Sequence, residues 1–330
     1  MFGRFKGFFV IILAVLFLTI GVAHAEPITI RFSHVVGANT PKGQMAARFK
    51  ELVDKRLSGK VAVEVYANGE LFGDDKVLEA MSDGKVEIAA PSLAKLGQYS
   101  PKLAVFDLPF LFKGMDAVEK FQKSEAGQKL LLSLQDKGFV GLGYLHNGFK
   151  QLSATTPLRV PKDARGLKFR IMDSDILAEQ FLAIGAIPLK EPFSRLYNLL
   201  KNREVDGCEN SWSNICTKRL FEVQPYITVS NHGLLDYLVV SSAEFWLGLP
   251  DDVRAEVQQA LDEAIVYGNR LSERMSLYSR KKVEASKRSE IIEISEEERA
   301  LWVEAMKPVW KSFEGDIGTD IIEAAHKANL

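Results

Sequence analysis

The sequence is short of the residues that build metal centres and disulfide frameworks. It has two cysteines, Cys208 and Cys216, and five histidines scattered along 330 residues, with no spacing that would close a metal site. Charge of either sign in excess is also missing. The 42 basic and 43 acidic residues leave a net −1, which argues against a nucleic-acid surface. Three catalytic signatures are absent: there is no G-x-S-x-G elbow, no H-E-x-x-H and no glycine-rich phosphate loop. GLGYLH (141–146) starts like a dinucleotide fingerprint, but His146 stands at the third glycine position and no helix opens there.

Long apolar runs are missing too, with one exception. Residues 8–22 form an apolar stretch behind Arg4 and Lys6, and Ala23-His24-Ala25 offers a small-residue processing site. The run falls short of the ~20 residues that a membrane span needs. Residues 1–25 therefore read as an export signal cleaved after Ala25, with an uncleaved anchor as the alternative. The remaining chain, 26–330, is long enough for two lobes. Export permits a disulfide, but Cys208 and Cys216 can meet only if the turn between them folds back. Two small buried residues is the favoured reading.

What is present is a repeated strand and helix pattern. Residues 28–36 alternate apolar and polar, and Thr40-Pro41 opens a helix through Met45, Phe49, Leu52 and Val53. A strand at 61–66, a helix through Val77, Leu78 and Met81, and a strand at 86–90 complete a βαβαβ unit. The order recurs after Gly166. A strand at 167–171 puts Leu167, Phe169 and Ile171 on one face and Lys168 and Arg170 on the other. Asp173-Ser174-Asp175 starts a helix; a strand at 186–189, a helix at 193–201 and a short strand at 205–207 follow. Laying 76–92 on 195–211 sets Val77 on Leu196, Val86 on Val205 and Ser92 on Ser211.

Between the two units, a strand at 139–145 ends in a turn at His146-Asn147-Gly148. After them, a strand at 234–241 crosses back toward the first unit, and a long helix runs from Pro250 to about Arg288. Ser295 and Glu298 form a capping box for a last helical segment holding Trp302, Met306 and Trp310. Ligands of such sheets bind beyond the carboxyl ends of the strands, where Arg170 and Asn210 fall. A guanidinium fixed there suits a carboxylate, which it grips with two parallel hydrogen bonds.

Eight stretches, in order, resemble one family. They are FSHVVGANTPKG (32–43), GKVAVEVYANGELFGDD (59–75), EIAAPSLAKLG (87–97), FDLPFLF (106–112), NGFKQLS (147–153), GLKFRI (166–171), VDGCENSWSNI (205–215) and FEVQPYITVSNHG (221–233). The chain is similar to the periplasmic solute receptors of TRAP transporters, in particular the DctP-like, C4-dicarboxylate-binding group. The resemblance implies a two-lobe periplasmic binding protein fold of α/β class, with a hinge, crossing strands and a long bridging helix. It places lobe I at 26–147 with about 236–275, and lobe II at 148–235 with about 276–330. It implies a monomer that binds a small organic acid and delivers it to TRAP membrane permease subunits, with no cofactor, no metal and no nucleic acid.

The family's selectivity arginine falls on Arg170, its cleft asparagine on Asn210 and its cleft aromatic on Phe193. A second basic position, usually arginine, falls on Lys150, trading a planar fork for a point charge. Ser92, Lys95 and His34 stand where the other lobe meets the ligand, and Trp212 flanks the second lobe's motif. Each has a plain alternative: a surface ion pair for Arg170, a helix cap for Asn210, core packing for Phe193. Two competing functions stay open. One is an exported hydrolase; the other is a receptor of the same class for a keto, sugar or aromatic acid, the last favoured by Phe193 and Trp212.

Overall fold

A computed structural model describes residues 26–330, so the export signal lies outside the described residues. Local sequence signals set the first unit. Alternation makes β1 (Ile28–Ser33) and β2 (Val61–Tyr66) a parallel pair, in register from Ile28 opposite Val61 to Ser33 opposite Tyr66. Between them α1 (Pro41–Arg56) starts where the Thr40 side chain accepts from the Gly43 backbone N–H, with Pro41 at the first helical position. Then α2 (Val77–Ser82) leads to β3 (Ile88–Ala89), which lies parallel to β1 on its other side. The helices α3 (Met115–Lys123) and α4 (Glu125–Leu131) precede β4 (Phe139–Ala154).

The second unit repeats the plan with β5 (Lys168–Ile171), α5 (Asp175–Ala183), β6 (Ile187–Lys190), α6 (Leu196–Lys201) and β7 (Gly207–Ser211). The predicted helix over 193–201 opens with a 3-10 turn, Phe193–Arg195, because Pro192 holds the extended entry. The strand expected at 205–207 begins instead at Gly207. Its polar residues Glu209 and Asn210 are buried as it pairs with both β5 and β4. After α7 (Trp212–Thr217), β8 (Tyr226–Ser242) runs back, followed by α8 (Ala243–Gly248) and the 36-residue α9 (Asp251–Ser286). The chain closes with β9 (Glu290–Glu293), α10 (Glu296–Met306), α11 (Val309–Ile317) and α12 (Thr319–Lys327). Pro308 separates α10 from α11, so Trp310 does not share a helix with Trp302 and Met306. The Ser295–Glu298 capping box is formed as expected.

The nine strands of the described residues join one sheet, ordered β2-β1-β3-β8-β4-β7-β5-β6 with β9 beside β8. The turn expected at His146-Asn147-Gly148 is instead a bulge within β4, which continues to Ala154 along β8. An Asn-Gly pair is a hairpin signal only when no distant strand claims its flanks, and here β8 claims both. Each end of the sheet has its own core. Ile30, Phe32, Phe49, Val257 and Leu261 pack among β1, α1 and α9; Phe169, Phe181, Trp302 and Met306 pack under the second unit. Phe169 and Phe181 stack at 4.8 Å, and burying each such ring contributes about 1.5–3 kcal/mol. Cys208 and Cys216 are both free thiols, and both are buried.

Candidate binding cleft

The ends of β1, β3, β5 and β7 and the middle of β8 converge on a cavity of about 310 Å³ lined by residues of both units. Six of the predicted ligand residues come together there: Arg170, Asn210, Phe193, Lys150, Ser92 and Lys95.

Arg170 is carried on β5 and is only 2% exposed. Its Nε donates to the Glu191 carbonyl at 2.8 Å, which fixes the plane of the guanidinium. The two terminal nitrogens have no protein partner among the described residues. Burial pushes the Arg170 pKa down, and the negative neighbours Glu209, Asp74 and Glu191 resist that shift. Asn210 is held from its oxygen side, where Oδ1 accepts from the Ser211 N–H at 3.1 Å and Asn214 Nδ2 at 2.8 Å. Its own amide nitrogen is left to donate. The Phe193 ring borders the same space, with Lys218 Nζ 5.0 Å from its centroid.

Lys150 is already engaged. Its Nζ donates to Glu209 Oε1 at 2.7 Å, and both side chains are buried. Glu209 Oε2 accepts from Gln180 Nε2 at 2.9 Å and meets His232 Nε2 at 2.9 Å. Burial alone would raise the Glu209 carboxyl, but Lys150 and His232 outweigh it and hold the pKa at about 2. Asp107 lies nearby and receives a hydrogen bond from Ser174 Oγ at 2.7 Å. Burial pushes it up to about 6, against the pull of Lys150.

On the facing side, Lys95 is buried with no carboxylate at ion-pair distance among the described residues, and burial lowers its pKa despite Asp173. Ser92 N–H donates to Asp74 Oδ2 at 3.2 Å. Lys42 donates to the Ala90 carbonyl at 2.7 Å and sits 3.5 Å from the Tyr237 ring centroid, a buried cation–π contact. Burial brings its pKa down to about 8.

Two predicted residues stand outside this lining. His34 is buried behind it, both ring nitrogens lack side-chain partners among the described residues, and burial together with Lys42 pushes its pKa down to about 3. Trp212 faces away, in a groove beside α9 with Arg280 5.6 Å from its ring. Sequence reasoning did not single out Tyr237, Asp74, Asn214 or Glu209, all of which line the cavity. Glu209 and Asn214 lie inside the same motif as Asn210, and that adjacency was a usable signal. Tyr237 sits in an apolar strand that carries none.

Two α/β lobes that share two continuous strands, with an oriented guanidinium buried between them, have the build of a solute receptor. The chain belongs to the DctP family, the bacterial extracellular solute-binding proteins of family 7, whose model matches residues 32–316. These are the periplasmic receptors of TRAP transporters. The chain is 55% identical over 305 residues to the C4-dicarboxylate-binding periplasmic protein DctP of Shewanella loihica, covering 92% of this chain and 91% of that one. Its structure matches a TRAP periplasmic solute-binding protein of Shewanella oneidensis with bound succinate, with a TM-score of 0.91 and 54% identity, covering 92% and 100% of the two chains. A TRAP solute-binding protein of Pseudomonas aeruginosa with bound L-malate matches with a TM-score of 0.85 and 43% identity, covering 87% and 100%. Among the described residues no helix is long and apolar enough to cross a membrane.

Proposed function

We propose that this protein captures a C4-dicarboxylate such as succinate, fumarate or malate between its lobes and delivers it, without turnover, to a TRAP membrane permease. One observation carries the reading: Arg170 is buried, its plane is set by Glu191, and its two terminal nitrogens are unengaged beside the cavity. That fork accepts one carboxylate, Asn210 adds a donor and Phe193 covers it. Lys95, buried and without a counterion, receives the second carboxylate together with Ser92. The volume lies at the small end of ligand pockets, roughly 300–1,000 Å³, which favours a four-carbon diacid over a sugar acid. Trp212 faces out of the cleft, so an aromatic acid loses one of its two supports.

The same proposal includes cleavage after Ala25, a monomeric receptor in the periplasm, and lobes that meet near residues 147/148 and 235/236. A thermal-shift screen of residues 26–330 against diacids, keto acids, sugar acids and aromatic acids tests the ligand. A diacid present at 100 times its dissociation constant adds about 2.7 kcal/mol of stability. Arg170→Ala removes that gain. Stabilisation by a sugar or aromatic acid alone overturns the dicarboxylate, and no stabilisation by any acid overturns the receptor reading.

A further inference from the structure

Both walls of the cleft are tied to one buried side chain that does not line it. We infer that Asn147 is a positioning residue for ligand capture: the two ends of its amide hold Tyr237 and Ser213, setting the walls of the cleft relative to each other. The inference rests on the dicarboxylate reading above and deepens it.

The bulge in β4 creates the position. Pairing with β8 jumps from His146 opposite Asp236 to Phe149 opposite Leu234, so two residues of β4 face one of β8. Gly148 takes φ +94°, and nothing lies within 4 Å of where a Cβ would stand. The backbone conformation, and not crowding, calls for glycine there. A bulge of this kind re-aims the neighbouring side chain, and Asn147 ends 2% exposed.

Its three hydrogen bonds are directional. The backbone N–H donates to Asp236 Oδ1 at 3.1 Å, Nδ2 donates to the Tyr237 hydroxyl at 2.8 Å, and Oδ1 accepts from Ser213 Oγ at 2.6 Å. Asp236 is itself held by Gln122 Nε2 at 3.1 Å. Both partners are hydroxyls, which donate or accept, so what fixes the arrangement is that both ends of the buried amide are engaged at once. From Tyr237 the path reaches the cavity and the stacked Lys42. From Ser213 it passes to Ser211 Oγ at 3.2 Å, which caps α7, and Asn214 in that helix holds Asn210. One side chain in the strand crossing thus orients a ring on β8 and a ligand donor on β7.

The test is a mutant cycle read by titration calorimetry with succinate, alongside the midpoint of ligand-free unfolding. Asn147→Ala raises the dissociation constant roughly tenfold, because two buried groups lose their partner. Ser213→Ala weakens binding in the wild-type background and adds nothing in Asn147→Ala. Independent multiplication of the two effects, or a lower unfolding midpoint with unchanged affinity, overturns the inference. Asn147→Leu is the second variant: it keeps the volume and removes both ends of the amide, so Ser213→Ala adds no further loss of affinity in it. A second readout needs no ligand. In ¹³C-tyrosine-labelled protein, Ser213→Ala shifts the Tyr237 resonance only when Asn147 is present. Wild-type protein that binds no diacid sinks the dicarboxylate reading, whereas an unmoved Tyr237 resonance sinks the role of Asn147.

Discussion

The two units that face each other across the cleft share a strand and helix order but hold their cations differently. On the second, Arg170 spends one nitrogen on Glu191 and keeps two for the cavity. On the first, Lys42 is occupied by a carbonyl and a tyrosine ring, and His34 is neutral. Lys95 is the exception, a cation on that side with no carboxylate at ion-pair distance among the described residues. Under the proposed function the contrast predicts a division of labour. A ligand shifts a hinge by its differential affinity for the two states, so Arg170, with free oriented donors, is expected to set affinity and Lys95 to set closure.

The contrast breaks most severely at the Lys150–Glu209 pair, which supports the second unit from below. Glu209→Ala leaves Lys150 buried and uncompensated, and urea melts are expected to lose about 3–5 kcal/mol. Exchanging both partners for apolar residues recovers much of that loss. Next in size is the ligand comparison. By calorimetry with succinate, Arg170→Ala is expected to cost about 2–5 kcal/mol, chiefly by faster dissociation. Lys95→Met is expected to cost about 1–3 kcal/mol and to reduce ligand-induced compaction measured by small-angle scattering. Equal losses for the two variants would erase the distinction between anchor and closing contact.

The smallest effects lie in pH dependence, where two buried groups, His34 and Asp107, oppose each other. His34 is held near 3, below its ordinary 6.5, so the unfolded chain binds the proton more readily between those values. Stability from this group is complete above pH 6.5 and falls as pH drops toward 3. Asp107 is raised to about 6, so its contribution runs the other way, falling as pH rises from 3.8 to 6. Each group alone gives a slope of at most about 1.4 kcal/mol per pH unit. His34→Leu should therefore remove the acid-side loss and leave the opposite Asp107 slope visible in melts between pH 4 and 6. An unchanged profile would mean that His34 is accessible to protons when folded.

Much of this was readable in the chain because it was local. The Thr40-Pro41 start of α1, the alternation of β1 and the Ser295–Glu298 box depend on residues within one or two turns. Arg170 stood out through the family motif GLKFRI; the strand by itself, which also carries Lys168, left a surface ion pair open. Long-range pairing was not. Asn147-Gly148 carries a hairpin signal, and only β8, far along the chain, turns it into a bulge. Glu209 and Asn210 looked like loop residues for the same reason, since their burial depends on β4 and β5 together. The Lys42–Tyr237 stack joins α1 to β8 and leaves no trace in either segment.

The long strands β4 and β8, 16 and 17 residues each, pass between the lobes as a single hydrogen-bonded ribbon. A ribbon has torsional stiffness that a flexible tether lacks. The 36-residue α9, about 54 Å long, lies against the same ribbon and acts as its backing strip. Any movement of the lobes about this ribbon has to twist two paired strands together, so their stiffness, and not a loose linker, sets its cost.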